Sequence, residues 1–183
     1  MSCVCPYRIG LGTDLHRLAP LGGEPPPARP GHPQQQVHPL VLAGIRIDSP
    51  LGTIAHSDGD VVLHALTDAL LGAVAAGDIG ELFPDTDPAH RDRPSHEFVR
   101  AALAVVTSRG WVVGNADVVI HCQQPRLAPY KQAMRQALAG LLQAPPDCVS
   151  VKAKTGECVD AVGRSEAIAA SVSLLLHRPA PQP

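Results

Sequence analysis

Between residues 56 and 77 the chain reads HSDGDVVLHALTDALLGAVAAG, and no other stretch limits the fold as much. Leu63, Leu66, Leu70 and Val74 follow an i, i+3, i+7, i+11 spacing, which lays one apolar stripe along a helix. Ser57 is placed to cap that helix, with Asp60 three residues on in the position of a capping box. Asp58 and Asp60 suit the positive end of its dipole, and Gly77 closes it. A helix of this kind must bury its stripe, and the rest of the chain supplies strands to bury it on. Residues 8–15, 40–48 (with Gly44 as a bulge or kink), 111–122 (with a Gly-Asn break) and 149–153 read as strands. So does the alternation of Ile168, Ala170, Val172, Leu174 and Leu176, although the alanines there also suit a helix. Residues 95–109, capped by Ser95 and stopped by Gly110, and residues 129–142 read as two further helices. The order predicts an α+β fold. It is a single-domain α/β sandwich with a mixed four- to five-stranded sheet and helices on one face. The other sheet face then needs a partner, so an oligomer is expected.

The length of 183 residues fits one domain of about 150 residues. Its expected divisions are an N-terminal extension (1–7), an inserted Pro/Gly-rich loop (19–39) and a flexible tail (178–183). The insertion carries seven of the chain's prolines and cannot be a helix or a central strand. A net charge of -2 argues against a nucleic-acid binder, which would be basic. No run of 18 apolar residues exists, so no membrane helix is expected, and the N-terminus lacks the blocks of a signal peptide. Five cysteines, odd in number and widely spaced, describe no disulfide framework and suit a reducing cytoplasm.

Four clusters could carry chemistry. Asp14 and His16, two apart on a strand, project to one face, where a carboxylate and an imidazole make half of a zinc site; an isolated D-x-H reads instead as an exposed loop pair. Asp60, His64 and Asp68 share one helix face, which offers a histidine with carboxylates a turn either side that could orient it, or forms a solvated polar face if the helix stands alone. Together, Asp14, His16 and His64 give three N/O ligands with an open fourth position, the pattern of catalytic zinc. His56 sits just before the helix, where backbone N–H groups attract phosphate. Residues 78–87 hold several aspartates and could bind metal or ribose hydroxyls, or form a solvated turn. Lys152, Lys154, Thr155, Glu157, Arg164 and Glu166 combine cations and a hydroxyl suited to a diphosphate with carboxylates suited to magnesium, or form an ordinary charged edge strand.

The segments RIGLGTDLH, LVLAGIRI, AHSDGDVVLHALTDALLGAVAAGDIGELFPDTDP, VKA and GRSEAIAA together resemble the 2-C-methyl-D-erythritol 2,4-cyclodiphosphate synthase family. The resemblance runs from Arg8 to about His177. It implies a lyase of the non-mevalonate isoprenoid pathway, acting on 4-diphosphocytidyl-2-C-methyl-D-erythritol 2-phosphate, releasing CMP and closing a cyclic diphosphate. It implies zinc on Asp14, His16 and His64, and magnesium or manganese on Glu157. His56 and Thr155 match the positions that stabilise the transition state. Asp14, His16, His56, Ser57, Asp78, Ile79, Gly80, Phe83, Pro84, Asp85, Thr86 and Asp87 match substrate-binding positions, as do Lys154, Gly156, Glu157 and Arg164. Cys122, Gln123, Gln124, Pro125, Arg126, Leu127 and Ala128 match a cytidine pocket built mainly from backbone. The resemblance further implies a homotrimer through the sheet, with sites between subunits, and no nucleic acid or membrane partner.

The chain departs from the family's usual pattern at Lys154-Thr155-Gly156-Glu157, where Lys154 replaces a threonine, and at Ala161, where an aromatic is usual. Arg164 and Glu166 match residues at a central cavity that binds isoprenoid diphosphates in some relatives. The alternative readings are a metal-dependent phosphohydrolase, from the metal triad alone, and a non-catalytic isoprenoid-diphosphate-binding trimer.

Overall fold

The computed structural model describes residues 5–25, 27, 35–84 and 93–179. Asp85, Thr86 and Asp87, much of the insertion, and the ends of the extension and tail lie outside the described residues.

Among the described residues the main sheet has six strands rather than four or five. They are β1 (Tyr7–Pro20), β2 (Gln36–Pro39), β5 (Leu51–Ala55), β6 (Val112–His121), β7 (Val149–Lys154) and β8 (Ala167–His177). Their order is β2-β5-β1-β8-β6-β7; β6 and β7 run parallel and every other pair is antiparallel. The Gly-Asn break in β6 is a register shift between Val113 and Asn115. The two unforeseen strands have clear causes. Residues 51–55 are buried from Gly52 to Ala55, so the segment shows no polar alternation to betray a strand. The expected 19–39 loop is shorter at both ends: Ala19 and Pro20 finish β1, and Gln36–Pro39 pair with β5 at the sheet edge, where a proline is tolerated. Residues 40–48 are not one strand. Ala43 and Gly44 both adopt positive φ (53° and 77°) and fold them into a hairpin of β3 (Val41–Leu42) and β4 (Ile45–Arg46).

Helix α1 (Val61–Ala73) is capped by Asp60, not Ser57. The Asp60 carboxylate accepts from Val62 N–H and Leu63 N–H, each at 3.1 Å, and from Ala43 N–H (2.9 Å) and Gly44 N–H (2.6 Å). One carboxylate thus joins the helix start to the β3–β4 hairpin, a task beyond a single hydroxyl. Burial pushes its carboxyl up to about 6 against these backbone bonds. The helix ends at Ala73, short of Gly77, because Ala75 already turns to positive φ. A short α2 (Ile79–Leu82) follows, then α3 (Ser95–Ser108) and α4 (Lys131–Leu142), which a 3-10 turn at Ala128–Tyr130 precedes. Pro94 occupies the cap of α3, so Ser95 is its first residue and not its cap.

Helix α1 lies on β1 and β8, α3 packs on α1, and α4 lies on β7. The expected stripe of Leu63, Leu66, Leu70 and Val74 is buried. Only His64, Asp68 and Gly72 break the burial within α1, and they share its polar face. Close approach of α1 depends on β1. Gly10, Gly12, Asp14 and His16 turn to the helix side, and a Cβ built on Gly10 or Gly12 would stand 1.9 Å from the carbonyl oxygen of Ala69 or Ala65. On the opposite face Ile9, Leu11 and Leu15 are 74%, 68% and 60% exposed, an apolar row of the kind that calls for a partner. At the far end of the sheet, Arg178 donates its backbone N–H to Pro6 and stacks over Trp111, so the expected tail starts later than residue 178.

Candidate metal centre and adjoining cavity

Strand β1 delivers Asp14 and His16, and α1 delivers His64, to one point. Asp14 Oδ2 lies 3.0 Å from His16 Nδ1 and 3.1 Å from His64 Nδ1, and one ligand atom from each of the three residues lies within 4.8 Å of the others. His16 Nδ1 is buried and has no hydrogen-bond partner among the described residues. Burial favours a neutral Asp14, but the two imidazoles beside it outweigh burial and hold its carboxyl well below the usual range. Burial likewise favours neutral His64, and the Asp14 carboxylate overrides it and raises the imidazole's basicity. Zinc bonds of ~2.1 Å at tetrahedral angles set ligand atoms about 3.4 Å apart. Two imidazoles and a carboxylate this close, one ring nitrogen without a hydrogen-bond partner among the described residues, fit such an ion.

The far side of His64 is also held. Its Nε2 lies 2.9 Å from Ser95 Oγ and 3.2 Å from Ser57 Oγ. The carboxylates expected to orient this ring do not: Asp60 caps α1, and Asp68 accepts from Ile79 N–H at 2.8 Å. That bond ties α2 to α1, and Asp78 caps α2 through Glu81 N–H, so Asp78, Ile79 and Gly80 are set beside the helix that bears His64. Phe83 stacks on Phe98 with centroids 4.7 Å apart, and Phe98 stands 6.0 Å from the His64 ring. Arg93 lies over both phenyl rings and pairs with Glu97 at 2.7 Å. Pro84 is exposed, and His56 and Ser57 form the bend between β5 and α1.

A cavity of about 580 Å³ opens where β6 and β7 end, lined by the segment from Cys122 to Ala128 and by Ala153, Lys154 and Thr155. Cys122 donates its thiol to Gln124 O at 3.1 Å, and burial pushes that thiol up to about 11. Gln123 Oε1 accepts from Gly156 N–H at 3.2 Å, which joins the two cavity walls. Thr155 donates its hydroxyl to Glu157 Oε1. Arg164 pairs with Glu166 at 2.9 Å on the surface, and Lys152 pairs with Asp117 instead of joining the charged loop. The cavity and the metal cluster occupy the same end of the sheet, because Asp14 and Ile120 both pair with Ala170. Strand β8 lies between them.

The model of the YgbB family matches residues 7–177. The chain belongs to the YgbB family. Curated relatives agree: the 2-C-methyl-D-erythritol 2,4-cyclodiphosphate synthase of Rhodopirellula baltica is 47% identical over 172 residues, covering 94% of each chain. A solved 2C-methyl-D-erythritol-2,4-cyclodiphosphate synthase in its CDP-bound form is 40% identical with a TM-score of 0.78, covering 92% of this chain and 99% of that one. The bifunctional IspDF of Campylobacter jejuni aligns with a TM-score of 0.82 and 36% identity over 94% of this chain, which spans 42% of that longer one. In this YgbB chain the sequence marks Ser95 only as a helix cap and shows no functional role for Gly10 and Gly12. The glycines had a readable signal. They alternate on β1 just as Ala65, Ala69 and Ala73 recur every four residues on α1, small residues facing small residues.

Proposed function

We propose that this chain converts 4-diphosphocytidyl-2-C-methyl-D-erythritol 2-phosphate to 2-C-methyl-D-erythritol 2,4-cyclodiphosphate and CMP, as a phosphorus-oxygen lyase of isoprenoid synthesis. The observation that carries this reading is the meeting of Asp14, His16 and His64 at one point, at the same sheet end as the cavity from Cys122 to Ala128. An oxygen of the 2-phosphate attacks the β-phosphorus. A new P–O bond closes the ring, the bond to CMP breaks, and CMP leaves with the electron pair. Both attacking and leaving groups are phosphates, so no strong protein base is needed; the work is to hold two mutually repelling anions in line.

Asp14, His16 and His64 would hold zinc, and Glu157 would hold magnesium or manganese, whose charges would neutralise the diphosphate oxygens when bound. The cavity's backbone takes the cytidine, consistent with the CDP named for a solved relative. His56 and Ser57 donate to phosphate oxygens on which charge develops, and Thr155, whose hydroxyl here donates to Glu157, would do so once Glu157 turns to the second cation. Asp78, Ile79, Gly80 and Phe83, together with Pro84 and residues 85–87, bind the erythritol part. Lys154 adds a cation at the cavity wall, where a diphosphate needs one, and Gly156 and Arg164 complete the diphosphate contacts.

The reading includes one domain over residues 1–183 and a trimer. The exposed row of Ile9, Leu11 and Leu15 gives the sheet face an apolar surface for two further copies. The family resemblance that implies the trimer also implies sites between subunits, so that one copy's cavity would serve its neighbour's metal cluster. The test is incubation of purified protein with the cytidylyl substrate and magnesium. Release of CMP with a cyclic diphosphate in the phosphorus NMR spectrum supports the reading. An open-chain phosphate supports a phosphohydrolase, and binding without turnover supports a non-catalytic trimer.

A further inference from the structure

We infer that Ser95, held by Asp58, is a positioning residue for His64, and that this arrangement leaves the Ser57 hydroxyl proton available to the substrate. The inference rests on reading Asp14, His16 and His64 as a metal site. His64 turns Nδ1 toward Asp14 Oδ2 at 3.1 Å. A neutral imidazole that offers Nδ1 to a cation carries its proton on Nε2, so the Nε2–H needs an acceptor. Among the described residues two hydroxyls face it, Ser95 at 2.9 Å and Ser57 at 3.2 Å, and their surroundings differ.

Ser95 is fully buried. Its backbone N–H donates to Asp58 Oδ2 at 2.9 Å and its hydroxyl donates to Asp58 Oδ1. An ionised carboxylate only accepts, so the Ser95 proton is committed and its oxygen shows His64 lone pairs alone. Ser95 therefore acts as an acceptor, which fixes both the tautomer and the plane of the ring. Among the described residues Ser57 has no such commitment to a carboxylate. Its oxygen accepts from Gly59 N–H at 3.3 Å, and with the Nε2–H already spent on Ser95, its own proton can go to an anionic oxygen. The two serines, chemically equal in sequence, thus divide between holding the ligand and meeting the substrate. The hold reaches across 37 residues, from the turn before α1 to the first residue of α3.

The test uses the full chain loaded with zinc and titrated against a competing chelator, with the fold checked by circular dichroism. Ser95→Ala keeps the backbone bond to Asp58 and loses only the hydroxyl, and it should weaken zinc binding by about 10–100-fold, the range seen for partners of ligating histidines. Ser95→Thr, which restores a hydroxyl, should recover most of that loss. Ser57→Ala should keep wild-type zinc affinity while lowering kcat for CMP release. If Ser95→Ala does not fold, Asp58→Asn must by itself lower zinc affinity. Unchanged affinity in Ser95→Ala, or an equal loss in Ser57→Ala, overturns the inference and leaves the metal reading standing. A wild-type chain that holds no zinc overturns both.

Discussion

Gly12 is the point at which backbone packing and metal binding meet, and replacing it should disturb both. A Cβ at residue 12 would lie 1.9 Å from the Ala65 carbonyl oxygen and 2.6 Å from the Ala69 nitrogen, where 3.0 Å is about the least that real contacts show. Both are backbone atoms of α1, so no side chain can rotate away. In Gly12→Ala the helix must retreat by about 1.1 Å, the difference between 3.0 and 1.9 Å. Overpacking of this kind costs about 1–3 kcal/mol. For a chain of this length that is a fall in Tm of roughly 2–12 °C. Residue 65 adjoins His64, so the retreat also draws His64 Nδ1 from 3.1 Å to about 4 Å from Asp14 Oδ2. Zinc affinity should drop by about 10–100-fold, as when a ligand loses its orientation. Gly72→Ala is the control. It lies on the same helix, is exposed, and its added Cβ would meet only the Leu11 carbonyl at 3.9 Å. It should hold or raise Tm by helix propensity, at about 0.5–1 kcal/mol, and leave zinc binding unchanged. Thermal melts and chelator competition on both variants decide the matter. A Gly12→Ala protein with wild-type Tm and zinc affinity would refute the close-approach account.

Three further outcomes are expected. His64→Ala should lose zinc by more than the about 10–100-fold typical of outer partners, together with nearly all CMP release; retained zinc by metal analysis would count against His64 as a ligand. Glu157→Gln should raise the magnesium concentration needed for half-maximal CMP release, and an unchanged requirement would remove Glu157 from cation binding. With its thiol pushed up to about 11, Cys122 is about one part in a thousand thiolate at pH 8, so labelling by iodoacetamide should rise about tenfold per pH unit from 8 to 10. Mass-spectrometric labelling at the two pH values checks this, and fast labelling at pH 8 would contradict the burial of that thiol.

How much was legible depends on whether a residue's role is local. The alternation from Ile168 to Leu176 shows because a strand with one face on the core repeats every two residues. Residues 51–55 hide their strand because burial from Gly52 onward removes that alternation. Ser57 and Asp60 are both good caps, so the sequence alone sets the start of α1 a few residues early. What decides between them is the β3–β4 hairpin, whose Ala43 and Gly44 N–H groups only a carboxylate can satisfy together with the helix. The metal ligands were legible in part for the same reason: Asp14 and His16 share a strand face by spacing alone. The choice of partners for His64 was not. Helical spacing sets Asp60 and Asp68 beside it, yet the structure spends both on backbone N–H groups and brings Ser95 from 31 residues away. No local pattern encodes such a contact.

The central claim is that Asp14, His16 and His64 surround one divalent ion. The direct measurement is anomalous diffraction at the zinc edge from crystals of the zinc-loaded protein. The account predicts one peak per chain, about 2.0–2.2 Å from Asp14 Oδ2, His64 Nδ1 and a nitrogen of His16. A zinc peak bound elsewhere, or none at these three side chains, would contradict it.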